Sequence, residues 1–218
     1  MNLGSIVIAV LALVSATAQA GQVASRAQLG VILGGAGTLE TFEGLPVANG
    51  GQLTFSGGVL NSSTVIGGAA NRLEAGVNYV SPTFFLEGNG YFALNTKTLG
   101  DSTAWRGLGI TIDYTAPVNA FGFDLQGYVG YGRIGTVSVY DTGHALLGTM
   151  NSVNGGFFGW ENGAGIGSVV VAATDPNSYL MIDDHAYGVA AAVPEPETYA
   201  LMLGGLGVVA LLARRRKR

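Results

Sequence analysis

Three places in the chain set a large aromatic ring beside hydrogen-bonding neighbours: Trp105 with Arg106; Tyr128 and Tyr131 with Arg133; and Trp160 with Glu161 and Asn162. Rings of this kind stack on sugars while adjacent amides, carboxylates and guanidinium groups bond the hydroxyls, and loops at the end of a β-sandwich commonly carry such sites. Trp105, Tyr131 and Trp160 are therefore candidate sugar contacts. Against this stands the need for aromatics in the core of a glycine-rich chain, and Phe121, Phe123, Phe157 and Phe158 are read as core. A sugar hydrolase would need two carboxylates facing each other about 5 to 9 Å apart. The sequence offers acids and no way to pair them.

Other chemistries are poorly served. There is no cysteine, so neither a thiolate nucleophile nor a disulfide is available. His144 and His185 stand far apart with no HxxxH or HExxH spacing, and no GxSxG elbow presents a serine. Gly130-Tyr131-Gly132-Arg133-Ile134-Gly135 satisfies GxGxxG, but Thr136-Val137-Ser138-Val139 follows as a strand, not as the helix whose N-terminus would receive a pyrophosphate. Gly30 to Gly37 lacks the lysine of a phosphate-binding loop and is read as a mobile segment. No residue is assigned a catalytic role, and the chain is expected not to be an enzyme.

The elements that would position these residues are short strands broken by 36 glycines, with no convincing helix in the body. Leu108, Ile110, Ile112 and Tyr114 alternate on one face; Ala116 to Asn119 reads as a turn; Phe121, Phe123 and Leu125 lie on one face of a second strand. Thr136 to Tyr140 and Ala145 to Leu147 flank Asp141-Thr142-Gly143-His144, a hairpin with Gly143 in the left-handed position. Phe157 to Trp160, Gly167 to Val171 and Tyr179 to Ile182 complete the series. Turn signals at this spacing predict an all-β fold, an antiparallel β-sandwich of jelly-roll type; a β-solenoid would show a fixed repeat, and none is present.

Both ends carry targeting signals. Leu3 to Val14 is an apolar run, and Ala18-Gln19-Ala20 has the small-x-small form of a cleavage site, which makes Ala18 and Ala20 its recognition residues and Gly21 the first mature residue; no Lys or Arg precedes the run. At the other end Thr198 to Ala213 carries no charge. A helix of that size covers about 24 Å, short of the roughly 30 Å hydrocarbon core, and spans it if the bilayer thins and flanking arginines snorkel. Arg214, Arg215, Arg216, Lys217 and Arg218 resist crossing, which holds the C-terminus in the cytoplasm and the body outside. The expected order is a signal helix over 1–20, a glycine-rich segment over 21–37, a body over 38–190, a linker over 191–197, a short transmembrane helix over 198–213 and a basic anchor over 214–218. Between residues 21 and 193, Arg26, Arg72, Lys97, Arg106 and Arg133 face twelve carboxylates, a net charge of about −7. So acidic a body argues against nucleic acid as a partner, because phosphate binding needs clustered cations.

Pro194-Glu195-Pro196, a short apolar helix and the cluster Arg214-Arg215-Arg216, in that order, resemble the PEP-CTERM sorting signal of exported bacterial proteins. The resemblance implies that an exosortase, a membrane protease, processes the chain. It also implies a transient inner-membrane intermediate with the body in the periplasm, then delivery to the surface of cells that make exopolysaccharide. A simple tail anchor that is never cut is the alternative. Less specifically, residues 38 to 190 resemble galactose-binding-like jelly rolls, in Thr41-Phe42-Glu43-Gly44-Leu45-Pro46, Ala120-Phe121-Gly122-Phe123-Asp124, Phe157-Phe158-Gly159 and Ile182-Asp183-Asp184. That resemblance implies a structural calcium held by Glu43 (or Glu40) with Asp183 or Asp184; the other reading is that these are solvated strand-end carboxylates. Calcium takes six to eight oxygens, carboxylates among them. On a regular strand Asp183 and Asp184 face opposite ways, so only one would meet a buried ion unless a bulge intervenes. The function expected is that of an exported surface or matrix protein, non-enzymatic, binding polysaccharide or calcium. The alternatives are a secreted carbohydrate-active hydrolase and a purely structural module.

Overall fold

The computed structural model describes residues 20–56, 58–70, 72–88, 96–101, 109–126, 135–152, 155–174, 180–190, 201–207 and 214. In chain order the elements are β1 (Ala20–Gln22), α1 (Arg26–Leu33), β2 (Thr38–Glu40), β3 (Gln52–Ser56), β4 (Val59–Leu60), β5 (Val77–Val80), β6 (Thr83–Glu87), β7 (Thr98–Asp101), β8 (Gly109–Gln126), β9 (Gly135–Tyr140), β10 (Leu146–Ser152), β11 (Gly156–Ala173) and β12 (Met181–Gly188). Among the described residues every strand pair is antiparallel, and the expected all-β sandwich is found.

The sandwich is made by two strands of 18 residues each, β8 and β11, which pair along most of their length and pass from one layer into the other. The N-terminal half of β8 pairs with β5, and the C-terminal half of β11 with β9, in a layer that continues to β10 and β4. The C-terminal half of β8 pairs with β12, and the N-terminal half of β11 with β1, in a layer that continues through β7 and β6 to β3. The turn expected at Ala116–Asn119 is therefore a bend in a continuous strand, as when strands switch sheets at a sandwich corner. Thr115, Ala116 and Pro117 are exposed there, where a proline without an N–H does least harm. β11 makes the matching bend through register shifts between Glu161 and Ser168, with Gly165 at φ +102, a conformation that favours glycine.

Period-two alternation buries Ile110, Ile112, Phe121, Phe123, Leu125, Val137, Val139, Val169 and Val171 between the layers. The opposite face of the β8–β12 layer is covered by α1, whose Leu29 and Leu33 pack with Val23 and Ala120. This corrects the expectations of a mobile Gly30–Gly37 and of a body without a convincing helix. Ser25 Oγ accepts from Gln28 N (3.2 Å), Gln28 Oε1 accepts from Ala24 N (3.0 Å), and Gly34 closes the helix in the left-handed conformation. The hairpin β9–β10 is present, but His144 (φ +63), not Gly143, takes the left-handed position. Asp141 Oδ1 accepts from Gly143 N and Ala145 N, both at 2.8 Å, and so caps the tip.

Ala18–Ala191 form one compact unit. In the other, residues 201–207 are helical and exposed. Among the described residues no helix is long and apolar enough to cross a membrane; most of the expected 198–213 helix, the signal segment 1–19 with Ala18, and Pro194, Glu195, Pro196, Arg215 and Arg216 lie outside them.

Candidate functional site

The acidic cluster is organised by a bulge. Asp183 pairs with Asp124 in the β12–β8 ladder, but the next pair is Ala186 with Gly122, so β12 carries one extra residue. That residue is Asp184, at φ +48. Without it, alternation after the buried Ile182 would send Asp184 into the apolar core. With it, Asp183 stays on the α1 side and His185 turns inward. The bulge is held by Arg26 of α1, whose guanidinium donates to Asp184 O and Asp124 Oδ2, both at 2.9 Å, and lies 5.5 Å from the centre of the Phe157 ring.

Asp183 is buried at 2 % exposure. Its Oδ2 accepts from Gln126 Nε2 (2.9 Å) and its Oδ1 from Asp184 N (2.8 Å), and Thr96 lies within hydrogen-bond reach. Burial is the main force pushing its pKa up to about 7; the neighbouring charges of Asp184 and Asp124 add to it, and the Asp184 amide and the Thr96 hydroxyl work against it. Thr96 Oγ1 donates its one proton to Glu43 Oε1 (2.9 Å), which accepts from Lys97 N (2.9 Å) as well. Thr96 thus stands between the two carboxylates that the calcium expectation named first. Glu40 does different work. Its two oxygens accept from Phe42 N and Glu74 N, both at 2.6 Å, and so cap a turn in which Phe42 is left-handed (φ +58). Burial raises its pKa, with those two amides opposing.

On the other side of β12, His185 is fully buried among tyrosines. Its Nδ1 lies 2.9 Å from Tyr79 Oη and its Nε2 3.0 Å from Tyr114 Oη, while Tyr187 stacks at 4.8 Å and donates from its hydroxyl to Ala75 O (2.7 Å). Burial, then the charge of Arg26, lowers the imidazole pKa to about 3. A ring bonded through both nitrogens is a neutral keystone of the core, and no free face of it is left for a ligand.

For calcium the fit is incomplete. Glu43, Asp183 and the Thr96 hydroxyl supply fewer oxygens than calcium takes, and among the described residues no three acidic or histidine side chains converge. Of the sugar candidates, Trp105 and Tyr131 lie outside the described residues. Trp160 is half-buried, packs against the core and sets its six-membered ring against Gly148, where no side chain would fit; its Nε1 is buried without a partner. One carboxyl that sequence reasoning passed over is Glu87 at the end of β6, fully buried with neither oxygen bonded.

Residues 192–217 match the family described as the PEP-CTERM protein-sorting motif. The chain carries a PEP-CTERM sorting motif. A PEP-CTERM motif implies export and processing by an exosortase. The match holds Pro194, Glu195 and Pro196 at one end and Arg214, Arg215 and Arg216 at the other. No curated protein matches the chain. Among solved structures, it is similar to the K2 cleaved adhesin domain of Lys-gingipain, at 13 % identity over 70 % of this chain and 99 % of that one, with a TM-score of 0.34.

Proposed function

We propose that the protein is a non-enzymatic surface or matrix module, exported through a signal cut before Gly21, held briefly in the inner membrane with its body in the periplasm, and released or transferred by an exosortase. The observation that carries this reading is the sorting motif over residues 192–217, attached to a body whose two linked acids are poorly placed for catalysis. Asp183 is the acid with the raised pKa, as a general acid requires, yet it is buried and both its oxygens are engaged. A polysaccharide partner rests on Trp105 and Tyr131, and retention of the body by the producer's own exopolysaccharide supports that part alone. Fractionation tests the whole. From normal cells the chain is expected outside the membrane fraction and without Arg214 to Arg218; from cells lacking the exosortase, or carrying alanine at Pro194, Glu195 and Pro196, it is expected in the membrane with Arg218 intact. Recovery of Arg218 from normal cells contradicts the reading.

Calcium belongs to the same proposal as an ion that would take Glu43, the second lone pairs of the Asp183 oxygens and Thr96 as a neutral oxygen, with water completing its shell. Asp183 titrates near 7, so below that pH a proton competes with the ion. Millimolar calcium is expected to raise the melting temperature at pH 8 and to do little at pH 5. A melting temperature that ignores both calcium and chelator at pH 8 removes the ion from the proposal.

A further inference from the structure

β1 lies antiparallel on the first half of β11, with Ala20 opposite Asn162, Gly21 opposite Glu161 and Gln22 opposite Trp160. Trp160 packs against the core, so alternation turns Glu161 to the other side, the α1 side, where its partner across β8 is the buried Ala120. Glu161 is half-buried there, and among the described residues no hydrogen bond or ion pair engages its side-chain carboxylate. The described cations of the body are employed elsewhere: Arg26 on Asp124, Arg72 on Gly44 O, and Lys97 on Glu43 O and Leu45 O. The space beside Gly21 is open, since a Cβ built there meets nothing within 4 Å.

Signal cleavage creates one more cation. Water adds to the Ala20 carbonyl carbon, the Ala20–Gly21 C–N bond breaks, Ala20 leaves as a carboxylate, and the Gly21 nitrogen takes up protons to become an α-ammonium. We propose that this new α-ammonium is the counter-ion of Glu161, so that maturation itself completes the edge of the sheet. Cleavage removes the Ala20–Asn162 pairing, and the ion pair restores an attachment at the same end of β1. Beyond it, Val23 N donates to Gly159 O (2.9 Å), which anchors the strand behind the new terminus. The inference rests on the reading that the mature chain starts at Gly21.

The test uses the processed protein purified from the producing cells, with its N-terminus read by mass spectrometry and its Gly21 amine titrated by acetic anhydride labelling between pH 6 and 10. Lys97 serves as an internal reference. Paired with Glu161, the amine should titrate above the ordinary α-amino range of about 7.7–8.0. At pH 7 it should label about threefold more slowly than in Glu161→Gln, a difference that 1 M salt erases. Equal labelling in both proteins, each starting at Gly21, overturns the ion pair and leaves the cleavage reading standing. A mature terminus anywhere other than Gly21 overturns both.

Discussion

Replacing His185 by alanine is expected to lower the unfolding free energy of the body by about 3 to 5 kcal/mol, read from the midpoint of a urea transition. Two losses combine. The ring vacates space among Tyr79, Tyr114, Phe123 and Tyr187, all within aromatic contact distance of it. It also leaves Tyr79 Oη and Tyr114 Oη without the ring nitrogens they bond, in a core where an unsatisfied polar group costs about 1–3 kcal/mol. Two further variants separate these losses. Tyr79→Phe keeps nearly all the volume and orphans one ring nitrogen, so it should cost less than His185→Ala. His185→Leu in a background of Tyr79→Phe and Tyr114→Phe removes every polar partner at once and should recover part of the loss. A change below 1 kcal/mol in His185→Ala would show that the tyrosines find other partners.

How much of this was legible beforehand follows from the range over which each signal acts. Alternation along Ile110, Ile112, Tyr114 and along Phe121, Phe123, Leu125 placed all six on the buried side correctly, because burial imposes period two on any strand facing a core. What alternation could not show was that both runs belong to one strand. The bends in β8 and β11 keep extended backbone, and a Pro-containing Ala116–Asn119 reads as a turn unless the partner strand that bends with it is known. α1 is short, with glycine inside it and after it, and composition hid it; the local signal was Ser25 followed by Gln28, with Leu29 and Leu33 one turn apart. The proximity of Glu43 to Asp183 was expected only from a family resemblance, since their 140-residue separation is bridged by pairings that no local pattern encodes. The roles of His185 and Glu87 were beyond reach for the same reason. A histidine next to Asp183-Asp184 looks solvent-facing, and only the bulge, which shifts the phase of β12, turns it into the core. The sorting motif was fully legible, because its recognition lies in local order and charge, with no tertiary partner needed.

The body should be more stable at pH 5 than at pH 8, because its Glu87 and Asp183 carboxyls are buried in the folded state. Burial pushes the Glu87 pKa up to about 8 and, as the largest of several causes, that of Asp183 up to about 7, so both bind protons in the folded state that they release when unfolded. For a raised carboxyl, stability falls as pH rises from the ordinary value toward the folded one, by about 1.4 kcal/mol per pH unit for each proton. His185 acts in the opposite sense. Its folded pKa near 3 lies below its ordinary 6.5, so its contribution is complete above 6.5 and is lost as the medium is acidified toward 3. Between about pH 4.5 and 6.5 the two carboxyls outweigh the one imidazole. Above 6.5 nothing opposes them until Asp183 and then Glu87 have titrated, and the net decline from pH 5 to pH 8 is on the order of 4 kcal/mol. Glu87→Gln isolates the larger share, because the amide imitates the protonated acid and cannot ionise. The variant should match the native protein at pH 5 and exceed it by a few kcal/mol at pH 8. Chemical denaturation at the two pH values measures both differences, and an unchanged slope in Glu87→Gln would mean that the Glu87 carboxyl reaches water before the chain unfolds.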